Sequence, residues 1–287
     1  VDPLVATLVL VSAALHPLWN LLVKRNPRPE GAFFVLTVQL ALFALVHALV
    51  SGADILAARE VWPLILVSVT GQILYGTSLL TTLKRGDISA YYPIVRASPL
   101  FIVVVGFLVF GEHYPASLLV AIALVLIGGF LLLYRPSARL LDDPRTLGFA
   151  VLAMCGTGVY SLADARLVQT IEPPVAFFWT EVLCAPIYAM LFRRIAIGPN
   201  LRRGIGTLLA RPFHALLLAS IVYASYILIL IAYERGGDVA AVTAVRQASI
   251  PLSVILGGVF LREGSIVRRL VASLILALGI VLIVTGG

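Results

Sequence analysis

The chain has 287 residues, 61% of them hydrophobic and 12% charged, with a mean hydropathy of +1.05 and a net charge of +7. A soluble domain of this length needs far more polar surface, so the composition excludes a water-soluble globule and points to an all-α integral membrane protein. The basic residues fall in short clusters between apolar runs, as in loops beside anionic lipid headgroups, and no aromatic-interleaved basic face offers a nucleic-acid surface.

Ten apolar stretches of about 20 residues, each long enough to cross the hydrocarbon core as a helix, are predicted in chain order. They lie near 4–24, 31–51, 61–83, 88–110, 117–134, 147–168, 174–192, 213–234, 239–261 and 266–285. The first run lacks a basic leader and a small-residue cleavage site, so it reads as a retained span and not a signal peptide. It carries His16, Trp19 and Asn20 on one face near mid-bilayer. The third carries Gly71, Tyr75, Ser78 and Thr82 at helical spacing, a stripe that either lines a cavity or bonds a neighbouring helix. In the fourth, Arg96 stands between Pro93 and Pro99, and in the ninth Arg246 precedes Pro251. Prolines free backbone carbonyls and bend helices where irregular backbone can line a cavity.

The sixth span places Tyr160 at the station of Trp19 and Asp164 near its outer end, where the carboxylate is expected to reach water; His47 is similarly placed in the second. Tyr226 and Tyr233 lie in the eighth. Trp62, Trp179 and Tyr134, nearer span ends, read as headgroup anchors. Cys155 and Cys184 sit in apolar runs without metal spacing and read as reduced packing residues. The connections are short; the longest, 193–212, holds five arginines.

Of the 21 Lys and Arg residues, 16 fall after odd-numbered spans and 3 after even-numbered ones, the remaining two being Arg96 and Arg246. This bias places the odd loops in the cytoplasm and both termini on the other side. Sliding the chain by 151 positions aligns residues 71–134 with 222–285, with no gap and 15 identities in 64. The matches include Tyr75/Tyr226, Gly86/Gly237, Asp87/Asp238, Ser98/Ser249, Glu112/Glu263 and Gly128/Gly279. Five spans per copy is an odd number, so the copies enter the membrane from opposite sides. The predicted architecture is two inverted five-helix repeats, residues 1–137 and 138–287, a pattern of secondary transporters.

The His-Pro-Leu-Trp-Asn run at 16–20 followed by Lys24, and the Arg85-Gly86-Asp87 to Gly111-Glu112 stretch with its repeat from Arg235 to Glu263, resemble the EamA-type families of the drug/metabolite transporter superfamily. The resemblance extends to that superfamily's amino-acid exporters. It implies a multi-pass protein of a bacterial inner membrane that moves small organic metabolites, amino acids including aromatic ones, by alternating access. Asn20 departs from the duplication, because Ser161 occupies its counterpart.

A charge inside the bilayer is expensive, so Arg96 and Arg246 must face protein, water or ligand. A guanidinium suits a carboxylate. The competing reading of Arg246 is an ion pair with Glu181 of the seventh span. Arg96 aligns with Gln247 and Arg246 with Val95; that one-residue offset, about 100° of helix, should turn the two arginines apart. His16 is either a packing histidine or a proton-coupling group. The expected substrate-binding set is His16, Trp19, Asn20, Tyr75, Ser78, Arg96, Tyr160, Tyr226 and Arg246. Neither a phosphate-binding loop, His-Glu-x-x-His nor Gly-x-Ser-x-Gly occurs, so no ATP drive, enzyme activity or cofactor is expected. The expected partners are a small-molecule substrate and membrane lipids, with one chain enclosing its own pathway as a functional monomer. The alternative is a multidrug or lipophilic-cation exporter of the same fold, which would turn Glu181 toward the cavity.

Overall fold

A computed structural model describes residues 1–23, 29–85, 88–134, 143–194, 206, 210, 212–252 and 266–286; within them, side chains are described except at 17–23, 29–32, 88–89, 193–194 and 266–267. The helices are α1 (Pro3–Val23), α2 (Pro29–Ser51), α3 (Trp62–Arg85), α4 (Ile88–Val95), α5 (Ser98–Phe110), α6 (Ala116–Leu133), α7 (Pro144–Leu167), α8 (Pro173–Arg194), α9 (Pro212–Glu234), α10 (Val239–Val245) and α11 (Ile266–Thr285). Short 3-10 turns occupy Ile55–Glu60 and Arg246–Ala248, and among the described residues there is no strand. Several helices open on proline, where the missing N–H has no intrahelical partner to lose.

Among the described residues, eight helical stretches are long and apolar enough to cross a membrane, with α4 and α5 counted together as Ala90–Phe110. The apolar stretches Pro3–His16, within α1, and Val239–Leu252, across the second break, are shorter, and positions 253–261 of the ninth predicted span lie outside the described residues. The protein is a multi-pass membrane protein. Large apolar side chains point outward, such as Val50, Leu108 and Phe213, whereas Ser12, Ser68, Thr180, Ser225 and Ser249 are buried. This distribution suits lipid, where the interior holds the polar atoms and the surface does not.

Packing runs in four main pairs: α3 on α7, α1 on α9, α2 on α8 and α6 on α11. The α3–α7 seam is backbone-close. A Cβ on Gly71 would come within 2.6 Å of the Tyr160 nitrogen, and one on Gly156 within 2.5 Å of the Tyr75 nitrogen. Small residues permit such approach where no hydrophobic effect drives helices together. The α1–α9 seam is closed instead by Ser12 and Ser225. Each donates its hydroxyl to the other's carbonyl, at 2.6 and 3.0 Å.

Two helices are broken. The first breaks at Arg96–Ala97, between α4 and α5, and the second at Arg246–Ala248, after α10. Pro99 has no N–H for the carbonyl of Val95, and Pro251 has none for Gln247, so the i−4 ladder fails at both places.

At one end of the bundle, Asp143 caps α7, accepting from the backbone N–H groups of Arg145 and Thr146 at 3.1 and 3.2 Å. The Thr146 hydroxyl donates to the same carboxylate at 2.6 Å, and Arg85 reaches it from α3 at 3.4 Å. Thr146's hydroxyl and N–H, then Arg85, hold the Asp143 carboxyl below its ordinary 3.8. A depressed folded value gives stability that is complete above the ordinary carboxylate range and lost as pH falls through the folded value. Melting curves in detergent should therefore place Asp143→Asn below the parent at neutral pH, with the two converging in acid. A gap that widens on acidification contradicts the cap.

Candidate functional site

Where α3, α7 and α9 meet, three tyrosines form a row. Tyr75 meets Tyr160 edge-on with ring centroids 5.9 Å apart, and Tyr160 meets Tyr226 at 6.2 Å. Phe177 of α8 lies against Tyr226 at 5.1 Å and stacks on Tyr223 at 5.3 Å. The Arg246 guanidinium enters from the second break, its Cζ 5.4 Å from the Tyr226 ring centroid. It lies within electrostatic range of Tyr75, Tyr160 and Tyr233. A cation over a ring face is attracted by the ring's quadrupole, more strongly once water is excluded. His16 of α1 lies within range of both Arg96 and Arg246.

The two breaks are stitched to each other. Arg96 donates through Nη2 to Ser249 Oγ at 2.7 Å, and Ser249 donates to the carbonyl of Arg246 at 3.0 Å. In the other direction, Gln247 Nε2 donates to the carbonyl of Arg96 at 3.0 Å. The Arg96 carbonyl thus accepts from a side chain of the opposite break, and the Arg246 carbonyl from a side chain of its own. The 100° offset between the arginines does not separate them, because that angle belongs to an unbroken α-helix and neither residue sits in one.

Six of the nine expected residues are therefore brought together: His16, Tyr75, Arg96, Tyr160, Tyr226 and Arg246. Ser78 is buried on α3, its carbonyl accepting from Thr82 at 2.8 Å, and none of its described contacts joins it to the tyrosine row. Trp19 and Asn20 lie on α1 one turn beyond His16, and their side chains fall outside the described residues.

Three expectations are corrected. Asp164 does not reach water: it is 3% exposed, on a helix that runs on to Leu167. Ser68 donates to its Oδ1 at 2.5 Å, and the Tyr226 hydroxyl donates to its Oδ2. Glu181 does not pair with Arg246: among the described residues no carboxylate lies within ion-pair distance of that guanidinium. Glu181 is buried on α8 within electrostatic range of Asp164, and among the described residues its carboxylate has no hydrogen-bond partner. Trp179 is an internal brace, its indole donating to the Ile55 carbonyl at 2.9 Å, whereas Trp62 remains 60% exposed as an anchor should.

Asp164, Ser68, Phe177 and Gln247 join the site although sequence reasoning did not select them. Gln247 had a signal, since the internal alignment sets it opposite Arg96. Among the described residues no cluster of His, Cys, Asp and Glu is disposed to hold a metal ion. Chemically, the site offers cationic donors, an aromatic wall and a carboxylate shielded behind Tyr226.

No family model matches the chain, and no curated protein sequence matches it. A solved structure described as "Crystal structure of protein" superposes with a TM-score of 0.73 at 17% identity, over 97% of this chain and 94% of its own. That likeness concerns the fold alone.

Proposed function

We propose that the protein is a secondary carrier of ten spans in two inverted repeats, moving small organic metabolites, amino acids including aromatic ones, across a bacterial inner membrane by alternating access. One observation carries the reading: Arg246 stands in a helix break, over the Tyr226 ring, with no carboxylate at ion-pair distance among the described residues. A membrane-embedded guanidinium with no carboxylate that close is matched by an anionic solute, and solute sites of transporters lie at such breaks. The rings of Tyr75, Tyr160 and Tyr226 suit a partly apolar body attached to that anion.

The packing supports a duplicated carrier. A Cβ on Gly128 would meet the Leu276 nitrogen and the Ala272 carbonyl, at 2.6 and 2.8 Å. One on Gly279 would meet the Val125 nitrogen and the Ala121 carbonyl, at 2.8 and 2.7 Å. All three pairs, 128/279, 125/276 and 121/272, differ by the 151 positions of the sequence repeat, as do Arg96 and Gln247, which touch. Exchanging the halves turns the α3–α7 contact into α9–α1 and returns α2–α8 and α6–α11 to themselves. Two equivalent bundles around a central site are a physical basis for rocking between inward and outward openings. The EamA-type resemblance, an outward orientation of both termini and a functional monomer belong to this proposal, as does the absence of enzymatic chemistry.

A second reading, export of lipophilic cations, is favoured by Glu181, which lies within electrostatic range of Asp164 and among the described residues has no hydrogen-bond partner. Reconstitution separates the two. Purified protein in liposomes, screened against amino acids and lipophilic cations with and without a pH gradient, is expected to move zwitterionic amino acids and leave the cations outside. Cation movement without amino-acid movement overturns the first reading and establishes the second.

A further inference from the structure

We propose that Gln247 is the specificity-determining acceptor for the N–H donor of the solute, with Arg96 and Arg246 holding its carboxylate, so that the site selects a compact zwitterion over the same acid without an amino group. This rests on the carrier reading and assigns a role to a residue outside the expected set.

Among the described residues, Arg96 Nε, Arg246 Nε and the Gln247 carbonyl oxygen Oε1 are buried and lack hydrogen-bond partners. Buried polar atoms in folded proteins are paired in the great majority of cases, so a group of unpaired ones at one junction requires an explanation. These three share a junction: Gln247 follows Arg246 in the chain and bonds the backbone of Arg96.

The orientation of the Gln247 amide is fixed. Its NH₂ faces two acceptors, the carbonyls of Arg96 at 3.0 Å and Thr243 at 3.4 Å. A flipped amide would set oxygen against oxygen, so Oε1 must point away from both, as an acceptor only. The guanidinium nitrogens are donors only. Two cationic donors and one neutral acceptor complement a ligand with an anionic acceptor group and a nearby N–H, as an amino acid has. A carboxylate alone would satisfy the arginines and leave Oε1 unpaired; an amine alone would be repelled by both guanidiniums.

Competition for uptake into liposomes tests this with three solutes of one carbon skeleton: the amino acid, its deaminated acid and its decarboxylated amine. In the parent protein the amino acid should compete better than the deaminated acid by about 10-fold or more, the effect of one buried hydrogen bond. In Gln247→Leu that gap should close while discrimination against the amine persists. A gap unchanged in Gln247→Leu overturns the assignment. So does equal competition by amino acid and deaminated acid in the parent, a measurement that needs no variant to fold. In both cases a carboxylate is still carried, so the carrier reading survives; it fails separately if none of the three solutes competes and no amino acid moves.

Discussion

Arg246→Gln is expected to slow uptake of carboxylate-bearing solutes by about 10- to 100-fold, measured as initial rates in liposomes at matched protein incorporation. The magnitude comes from hydrogen bonds to a charged group, worth about 1.5–3 kcal/mol each when a buried partner is removed. Arg246 makes no hydrogen bond to a described residue through its guanidinium, and its cation–π contact with Tyr226 does not neutralise it. The bundle therefore loses little when the cation goes, and the deficit should appear in transport more than in melting temperature. Arg246→Lys should recover only part of the rate, because an ammonium restores the charge but not the planar fork. Discrimination should fall in parallel: the decarboxylated analogue, disfavoured by the parent, should gain relative to the acid. Unaltered rate and selectivity in Arg246→Gln would remove the guanidinium from solute recognition.

The fold was largely legible because lipid imposes a simple rule. Runs of about 20 apolar residues between charge clusters must be helices, and α2, α3, α6 and α9 begin and end close to the predicted positions. The breaks were also announced, by Pro99 and Pro251, whereas α4 runs on through Pro93. Side-chain directions beyond a break were not. Helical periodicity fixes the relative direction of side chains only while the helix continues, so the offset between Arg96 and Arg246 lost its meaning at Arg246–Ala248. Depth along a span was a similarly poor guide for Asp164. Its distance from the end of α7 suggested water, but Ser68 and Tyr226 approach it from two other helices. Pairing Glu181 with Arg246 by depth failed for the same reason, since equal depth does not give equal azimuth. Six of the nine residues lie near one another because polar side chains in a bilayer have only the interior to occupy.

Tyr226 occupies two roles that substitution can separate. Its ring lies beneath Arg246, and its hydroxyl donates to Asp164. Tyr226→Phe keeps the ring and removes the donor, leaving one oxygen of a buried carboxylate unpaired, at a cost of about 1–3 kcal/mol. Melting in detergent should fall accordingly, with uptake per folded molecule much less affected than in Arg246→Gln. Tyr226→Ala removes both functions and should lose uptake as well. Replacing both partners of a buried polar pair with apolar groups is far less costly than removing one. Tyr226→Phe combined with Asp164→Leu should therefore melt higher than the sum of the single changes implies, with Ser68 left as the one orphaned donor. The two residues touch, so such non-additivity is the expected form of the result. Strict additivity, or a Tyr226→Phe protein as stable as the parent, would mean that Tyr226 does not hold this carboxylate. The link from the aromatic row through Tyr226 to Asp164 and α3 would then have to be abandoned, while the contact of Arg246 with the ring would stand.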